Sequence, residues 1–526
     1  MGGVRLAPMA PEAPSRASAD AAASRAGFDL LPHLAKFLGE PPPLTLLITG
    51  ASGTGKSILL RTLLAQLPGP RAYVAYRANA GGSAGEQASP DGRPALSLLL
   101  VDPGAARHEE PDPAAGEPTP PPSASPATPP EGEALPPLLA ETVSRLATNG
   151  GGYLVVDSWD PTSEQEFRSH AAGPESIHEL SAPVALLLER FRRLPLRVIL
   201  VVSPATDLGL VSTADGTVEL GWEEVEGFRL RVVSIPKLRS TPPPESRYLY
   251  ALDGGRFYCP PQFPPGFRPP IGPPHPDPAP EEDSLFPGSQ PFADAFGRLR
   301  FHGLTGLEVP SRFPSLVADV FLYPLVAHTM AIGGRVLWIP SPSSTPQQII
   351  VQLSRFLPPE FLGDRLRVVS PQAPDPSMGA LRSVVLLARR TPSEGELAPK
   401  ANPLSAGPMF PEAYRFLRGT LEGRPSLYVV YLDGLRAIAT ITGIPLTVET
   451  FPLIMGGYTR LPRFHGIGFG RTDDPLTRAI EAGVDTHVRL IEKYGRSVLL
   501  GVRPRTSPFL LDWTDKTGRY ALVPIR

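Results

Sequence analysis

The sequence predicts an α/β protein: two tandem units with mostly parallel sheets, joined by a proline-rich linker. Three observations carry this. Short aliphatic and β-branched runs of strand length alternate with amphipathic stretches from Leu44 to about Tyr250, and again from Leu304 to Arg526, which is the signature of sheets covered by helices. A proline-rich tract over 260–291 parts the two stretches. The length of 526 residues corresponds to roughly two to three domains of ordinary size.

Residues 1–27 are rich in Ala, Pro and Ser with scattered charge, too polar to bury a face, and read as a disordered arm. The unit that follows covers 28–258. Its strands are expected at Leu44–Thr49, Ala72–Tyr76, Leu96–Asp102, Tyr153–Asp157, Arg197–Ser203, Thr217–Leu220, Arg229–Ile235 and Arg247–Leu252. Helices are expected where apolar residues recur at three and four, over Lys56–Leu67, Leu138–Thr148 and Ser176–Arg193. The tract 103–137 can form neither ladder nor helix and reads as a solvated, polyproline-like insertion. Residues 259–300 are expected to be the linker. In the second unit, 301–526, strands are expected at Gly334–Ile339, Arg365–Ser370, Leu381–Leu387, Ser426–Asp433, Phe464–Phe469 and Ser497–Val502, with helices over Pro314–Ala331, Thr345–Phe356 and Pro411–Leu421.

The sharpest chemical signal is LLITGASGTGKS: Gly50, Ala51, Ser52, Gly53, Thr54, Gly55, Lys56 and Ser57, after a buried strand and before a helix. That context is what a phosphate-binding loop requires. Glycines let successive N–H groups converge on phosphate oxygens at the positive end of a helix. Lys56 would reach the terminal phosphates and Ser57 would ligate Mg²⁺. The strand of GGGYLVVDSWD ends in Asp157, the carboxylate expected on the metal side. Lys56 and Asp157 are thus the candidate catalytic pair, and ATP with Mg²⁺ the expected ligands. Hydrolysis also needs a group that orients water. The strand RAYVAYRANAGG ends in Arg77 and Ala78, with Asn79 the nearby polar neutral group and Glu86 far along a Gly/Ser-rich stretch. Loss of a fixed base is worth about 10²- to 10⁴-fold, so binding with slow or absent turnover is expected.

The order of this loop, VVDSWD, RVILVVSPATDLGLVSTADGTVELG and VEGFRLRVVSIPKLRSTPPPESRYLYALDGGRFY resembles the KaiC and RadA branch of the RecA superfamily over about residues 28–258. The matching pieces are Ser203, Ala214-Asp215-Gly216, Lys237-Leu238-Arg239 and Asp253-Gly254-Gly255. The resemblance implies RecA-like P-loop units, a hexameric ring with nucleotide between subunits, and Lys237 and Arg239 acting in trans on a neighbour's phosphate. Where that family carries a pair of catalytic glutamates, this chain has Arg77 and Ala78. In the second unit GGRVLWIPSPSSTPQQII reads as the counterpart of the loop, with Ser341 to Pro346 holding neither glycine nor lysine, and SLYVVYLDGLRAI keeps a strand ending in Asp433. It reads as a degenerate repeat. This layout is similar to that of the archaeal gas vesicle regulatory proteins.

Charge and composition narrow the partners. With 50 Lys+Arg against 52 Asp+Glu there is no basic excess to hold nucleic acid. A single cysteine, Cys259, excludes a disulfide framework and fits a reducing compartment. No apolar run is long enough to span a bilayer, and the N-terminus shows no signal-peptide core, so a cytoplasmic protein is expected. The nine histidines show no ligand spacing; His170 and His178 are the closest pair. Arg190, Arg192, Arg193 and Arg197 suit a helix C-terminus, and GIGFG at Gly466 to Gly470 suits close backbone packing in a strand. The reading is a Mg-ATP-binding regulator, self-associating as dimer or hexamer, with a regulatory protein as partner. A RecA-type DNA-dependent ATPase would need cations and aromatics in the loops after Asp157 and Ser203. The first, Pro161 to Ala172, has Phe167 and Arg168; the second, Pro204 to Asp215, has no cation. A scaffold with structural nucleotide is the third reading.

Overall fold

The structure is a computed structural model describing residues 30–68, 70–76, 96–101, 137–148, 151–159, 191–202, 213–239, 245–260, 271–311, 315–388, 411–420, 422–442, 446–447, 455, 458–513 and 520–526. It divides between Cys259 and Pro260 into two compact units. Several expectations lie outside the described residues: the arm 1–27, the insertion over 103–136, Arg77, Ala78, Asn79 and Glu86, the loop 161–172 with Phe167, Arg168 and His170, His178 and Arg190, and the segment from Ser203 to 212.

The first unit begins with helix α1 (Leu30–Leu38), then β1 (Leu44–Gly50), α2 (Lys56–Leu64), β2 (Arg71–Tyr76), β3 (Leu96–Val101), α3 (Pro137–Thr148), β4 (Gly152–Trp159) and β5 (Leu196–Val202). It closes with β6 (Gly216–Val225), β7 (Phe228–Leu238), β8 (Arg247–Leu249), β9 (Ala251–Asp253) and β10 (Arg256–Tyr258). Eight strands form one sheet in the order β3-β2-β4-β5-β1-β6-β7-β8. Strands β2, β4, β5, β1 and β6 run parallel, whereas β3 and the β6-β7-β8 meander pair antiparallel. Strand β1 is apolar on both faces because both are covered. Leu46 and Ile48 pack with Leu34, Phe37, Leu59 and Leu63 of α1 and α2, and Leu47 packs on the other face with Leu139, Val143 and Leu146 of α3. Each such leucine contributes about 1.5–3 kcal/mol, so the strand that leads into Gly50 is fixed from both sides.

The second unit contains β11 (Ser284–Leu285), α4 (Gln290–Phe296), β12 (Leu299–Arg300), β13 (Gly303–Val309), α5 (Ser315–Ala331), β14 (Arg335–Ile339), α6 (Pro346–Leu353), α7 (Pro359–Arg365), β15 (Leu366–Ser370) and β16 (Val385–Leu387). It continues with α8 (Pro411–Arg418), β17 (Ser426–Tyr431), α9 (Leu432–Thr442), β18 (Phe464–Arg471), α10 (Pro475–Gly483), β19 (Thr486–Lys493), β20 (Arg496–Arg503), β21 (Phe509–Asp512) and β22 (Ala521–Pro524). Its ten-stranded sheet has the order β16-β15-β14-β17-β18-β13-β19-β20-β21-β22. Seven positions repeat those of the first sheet: β14-β17-β18-β13-β19-β20-β21 stand where β2-β4-β5-β1-β6-β7-β8 stand. The parallel and antiparallel pairings agree throughout this run.

Four expectations change. The strand before Ser341, read as the counterpart of the phosphate-loop strand, is β14 and holds the position of β2. The counterpart of β1 is β13, which sequence reading did not mark as a strand, because Gly303, Gly306 and Glu308 break its apolar pattern. The linker is also shorter than 259–300. Residues 271–300 belong to the second unit: Asp277 accepts two bonds from Arg298, at 2.8 and 2.7 Å, β11 pairs β12, and Phe286, Phe292 and Phe296 are buried. Finally, Leu381–Val384 close a 3₁₀ segment rather than open a strand, and Asp433 lies in the first turn of α9, where its carboxylate accepts from Gly434 N at 2.8 Å. Gly466 and Gly468 of β18 admit Leu304 and Ile480 at distances a Cβ would block. No helix among the described residues is long and apolar enough to cross a membrane.

Strand β13 also buries a charge. Glu308 is 3% exposed and accepts from Arg489 Nε at 2.6 Å, with His487 Nε2 at 3.3 Å. Burial works against the carboxylate, but the hydrogen bonds from His487 and Arg489 outweigh it and hold its pKa below the ordinary range. A depressed carboxyl stabilises the fold above its unfolded pKa, and that contribution is lost as pH falls through the folded value. Glu308→Gln is expected to cost on the order of 3–5 kcal/mol at neutral pH. In denaturant melts from pH 7 to 3, the variant should lose less stability on acidification than the parent chain.

Candidate functional site

The loop from Gly50 to Gly55 joins β1 to α2 at the C-terminal edge of the parallel strands. Gly50, Gly53 and Gly55 have φ of 147°, 78° and 92°, values at which a side chain would be strained. A Cβ on Gly50 would also meet the Leu220 carbonyl of the neighbouring strand β6. Helix α2 begins behind Gly55 with no side-chain cap. Its first-turn N–H groups therefore point into the loop without an intrahelical acceptor, at the positive end of the helix dipole.

Lys56 lies folded over this turn, its Nζ donating to Gly50 O at 2.6 Å and Ala51 O at 3.0 Å. Partial burial lowers its pKa, and the charge of Asp157 opposes that shift. An anion in the loop would restore what the ammonium lost on leaving water. Ser57 donates from Oγ to Asp157 Oδ2 at 2.9 Å. Asp157 lies two strands from β1, roughly 10 Å by strand spacing, because β5 runs between β4 and β1. The side chains of Ser57 and Asp157 close that gap. The structure thus brings together the residues from Gly50 to Ser57 and Asp157. Their chemistry, amides and a cation beside a hydroxyl and a carboxylate, fits a triphosphate with Mg²⁺.

Sequence reading missed the groups that hold this arrangement. Tyr73 of β2 donates its hydroxyl to Asp157 Oδ2. Burial first, and then that hydrogen bond, raise the phenol pKa far above the ordinary value, so Tyr73 is a proton donor to the carboxylate and not a base. Its position was available from the period of two: Tyr73 and Ala75 share a face, and they pair with Val155 and Asp157. On the other flank, Tyr250 donates to Thr54 O at 2.5 Å, and Arg231 Nη1 donates to Gly53 O at 3.0 Å. Burial pushes the Tyr250 pKa up to about 12, and its ring stacks on Phe257 at 4.5 Å. Thr54, fully buried, turns its hydroxyl to Ala51 O at 2.8 Å.

Lys237 and Arg239 are not part of this assembly. Arg239 pairs with Asp215 at 2.8 Å, and Asp215 accepts from Thr45 N at 3.0 Å, at the opposite end of β1 from Gly50. That separation is about 16 Å of strand, which rules out a contact with the loop of the same chain.

At the matching edge of the second unit, described side chains pair with one another. Residues 310–315 after β13 read Pro-Ser-Arg-Phe-Pro-Ser, without glycine or lysine. Asp433 accepts from Ser341 Oγ at 2.9 Å and has Arg471 at 3.6 Å. Helix α6 is sealed by a capping box in which Gln348 N donates to Thr345 Oγ1 and Thr345 N to Gln348 Oε1.

Removing the hydroxyl in Tyr250→Phe leaves the Thr54 carbonyl without that donor, and a loss of about 1–3 kcal/mol is expected. Gly55→Ala should cost a similar amount, since it adds left-handed strain and a Cβ 2.7 Å from Leu252. Urea unfolding without nucleotide measures both against the parent chain. No protein-family model matches the chain, and no curated protein matches it.

Proposed function

We propose that the first unit binds a nucleoside triphosphate with Mg²⁺ at the loop from Gly50 to Ser57, and that the chain is a nucleotide-dependent regulatory switch with slow or absent hydrolysis. One observation carries the reading: three positive-φ glycines close on an uncapped helix whose first two residues are Lys56 and a Ser57 already bonded to Asp157. In this reading Lys56 exchanges two loop carbonyls for phosphate oxygens. Ser57 and Asp157 hold Mg²⁺, which supplies charge neutralisation at the terminal phosphates. Tyr73 keeps Asp157 turned toward Ser57.

The switch reading, over a fast enzyme, is supported by what stands around the metal side. Tyr73 is a donor whose raised pKa keeps its proton, and the sequence has Arg77 and Ala78 where a base would follow on the same strand. The repeated strand order supports two related, RecA-like units, of which the second contributes no phosphate site. Lys237 and Arg239 lie away from their own loop, which suits contact with another copy in a dimer or ring. A change in assembly, or docking of a regulatory protein, would then report the nucleotide state.

Calorimetric titration with Mg-ATP should give saturable binding that Lys56→Ala abolishes. Turnover should fall roughly 10²-fold or more below the ~1 s⁻¹ of slow ordinary enzymes, and single-stranded DNA should not raise it. Fast hydrolysis, or DNA stimulation, overturns the switch. Absence of binding overturns the site.

A further inference from the structure

We propose that Trp222 is the platform on which the nucleobase stacks, which rests on the reading of the loop as a triphosphate site. In the ladder between β1 and β6, Gly50 pairs with Leu220. Trp222 therefore follows two residues beyond the end of the loop strand, on the same face as Leu220. That face is the one covered by α2, since Leu220 packs in the cluster containing Leu59 and Leu63. Directly across the hairpin from Trp222 stands Arg231, the residue that donates to Gly53 O at the loop apex. Its guanidinium lies 3.9 Å from the centre of the indole ring. The platform and the loop are thus joined through one side chain.

The two flanks of the loop are chemically different, and this fixes the direction of the ligand. Ser57, Asp157 and Tyr73 gather on the β4 side. Ser57 and Asp157 would hold a metal that neutralises the terminal phosphates, which would set that end of the ligand there and leave the β6–β7 hairpin for the nucleoside. Glu224 and Glu226 near the hairpin tip outnumber the one cation there, Arg229 across from Glu224, which disfavours phosphate and leaves a neutral ring as the suitable occupant. Trp222 is 38% exposed, one of few large apolar side chains so exposed among the described residues. Arg231 itself is 7% exposed, so the cation is buried beneath an indole that it holds in plane. An aromatic ring held in place before binding loses little freedom when a base stacks on it.

The experiment compares two ligands on the full chain: Mg-ATP and Mg-tripolyphosphate, which has the phosphates without the base. Trp222→Ala should weaken Mg-ATP roughly five- to a hundredfold, the range of one lost base–aromatic stack, and leave tripolyphosphate affinity unchanged. Trp222→Phe should recover most of the ATP affinity. Indole emission should change with ATP, not with tripolyphosphate, and that change should vanish in Trp222→Phe. If Trp222→Ala binds Mg-ATP as tightly as the parent chain, or weakens both ligands equally, the platform is wrong while the loop reading stands. If the parent chain binds neither ligand, the loop reading fails and the platform with it.

Discussion

The loop after β1 owes its shape to where its carbonyl groups point. Four of them have named donors: Gly50 and Ala51 face the Lys56 ammonium, Gly53 faces the Arg231 guanidinium and Thr54 faces the Tyr250 hydroxyl. A peptide unit whose oxygen is held on one side presents its N–H on the other. Holding these oxygens fixes the turn, and it requires the left-handed backbone that only the three glycines adopt without strain. The rest of the first unit serves this turn. Strand β1 is clamped on both faces, and Tyr250 and Arg231 come from the meander beyond β6.

Much of this was legible in the amino-acid sequence, for a physical reason. A glycine-rich turn is a local object, so its glycines, lysine and serine lie in one stretch between a strand and a helix. Asp157 was legible too, as the polar end of an apolar run. What could not be read was what approaches from far along the chain: Arg231 and Tyr250 looked like ordinary strand residues until the sheet order set them beside the loop. The same limit explains the misplaced repeat. Strand β13 carries a buried Glu308 that pairs with Arg489 and lies against His487 nearly two hundred residues later. Without sight of those partners, GLTGLEV does not look like a central strand. Proline misled in a similar way at 271–300, where an Asp277–Arg298 pair and buried aromatics hold an irregular segment against a core.

The two units share a strand order and differ at one edge. In the first, a helix begins uncapped behind glycine, and a carboxylate faces a serine. In the second, the corresponding carboxylate, Asp433, has Arg471 beside it, and the nearby helix α6 satisfies its own amides through Thr345 and Gln348. Among the described residues, the two edges therefore differ in how their side chains are paired.

The most direct measurement is a crystal structure grown with Mg²⁺ and a non-hydrolysable ATP analogue. The account predicts a triphosphate tail ringed by the amides from Ser52 to Ser57, with Lys56 Nζ withdrawn from Gly50 O and Ala51 O to the phosphate oxygens. Lys56 still seated on those two carbonyls, with the analogue bound elsewhere or nowhere, would contradict it.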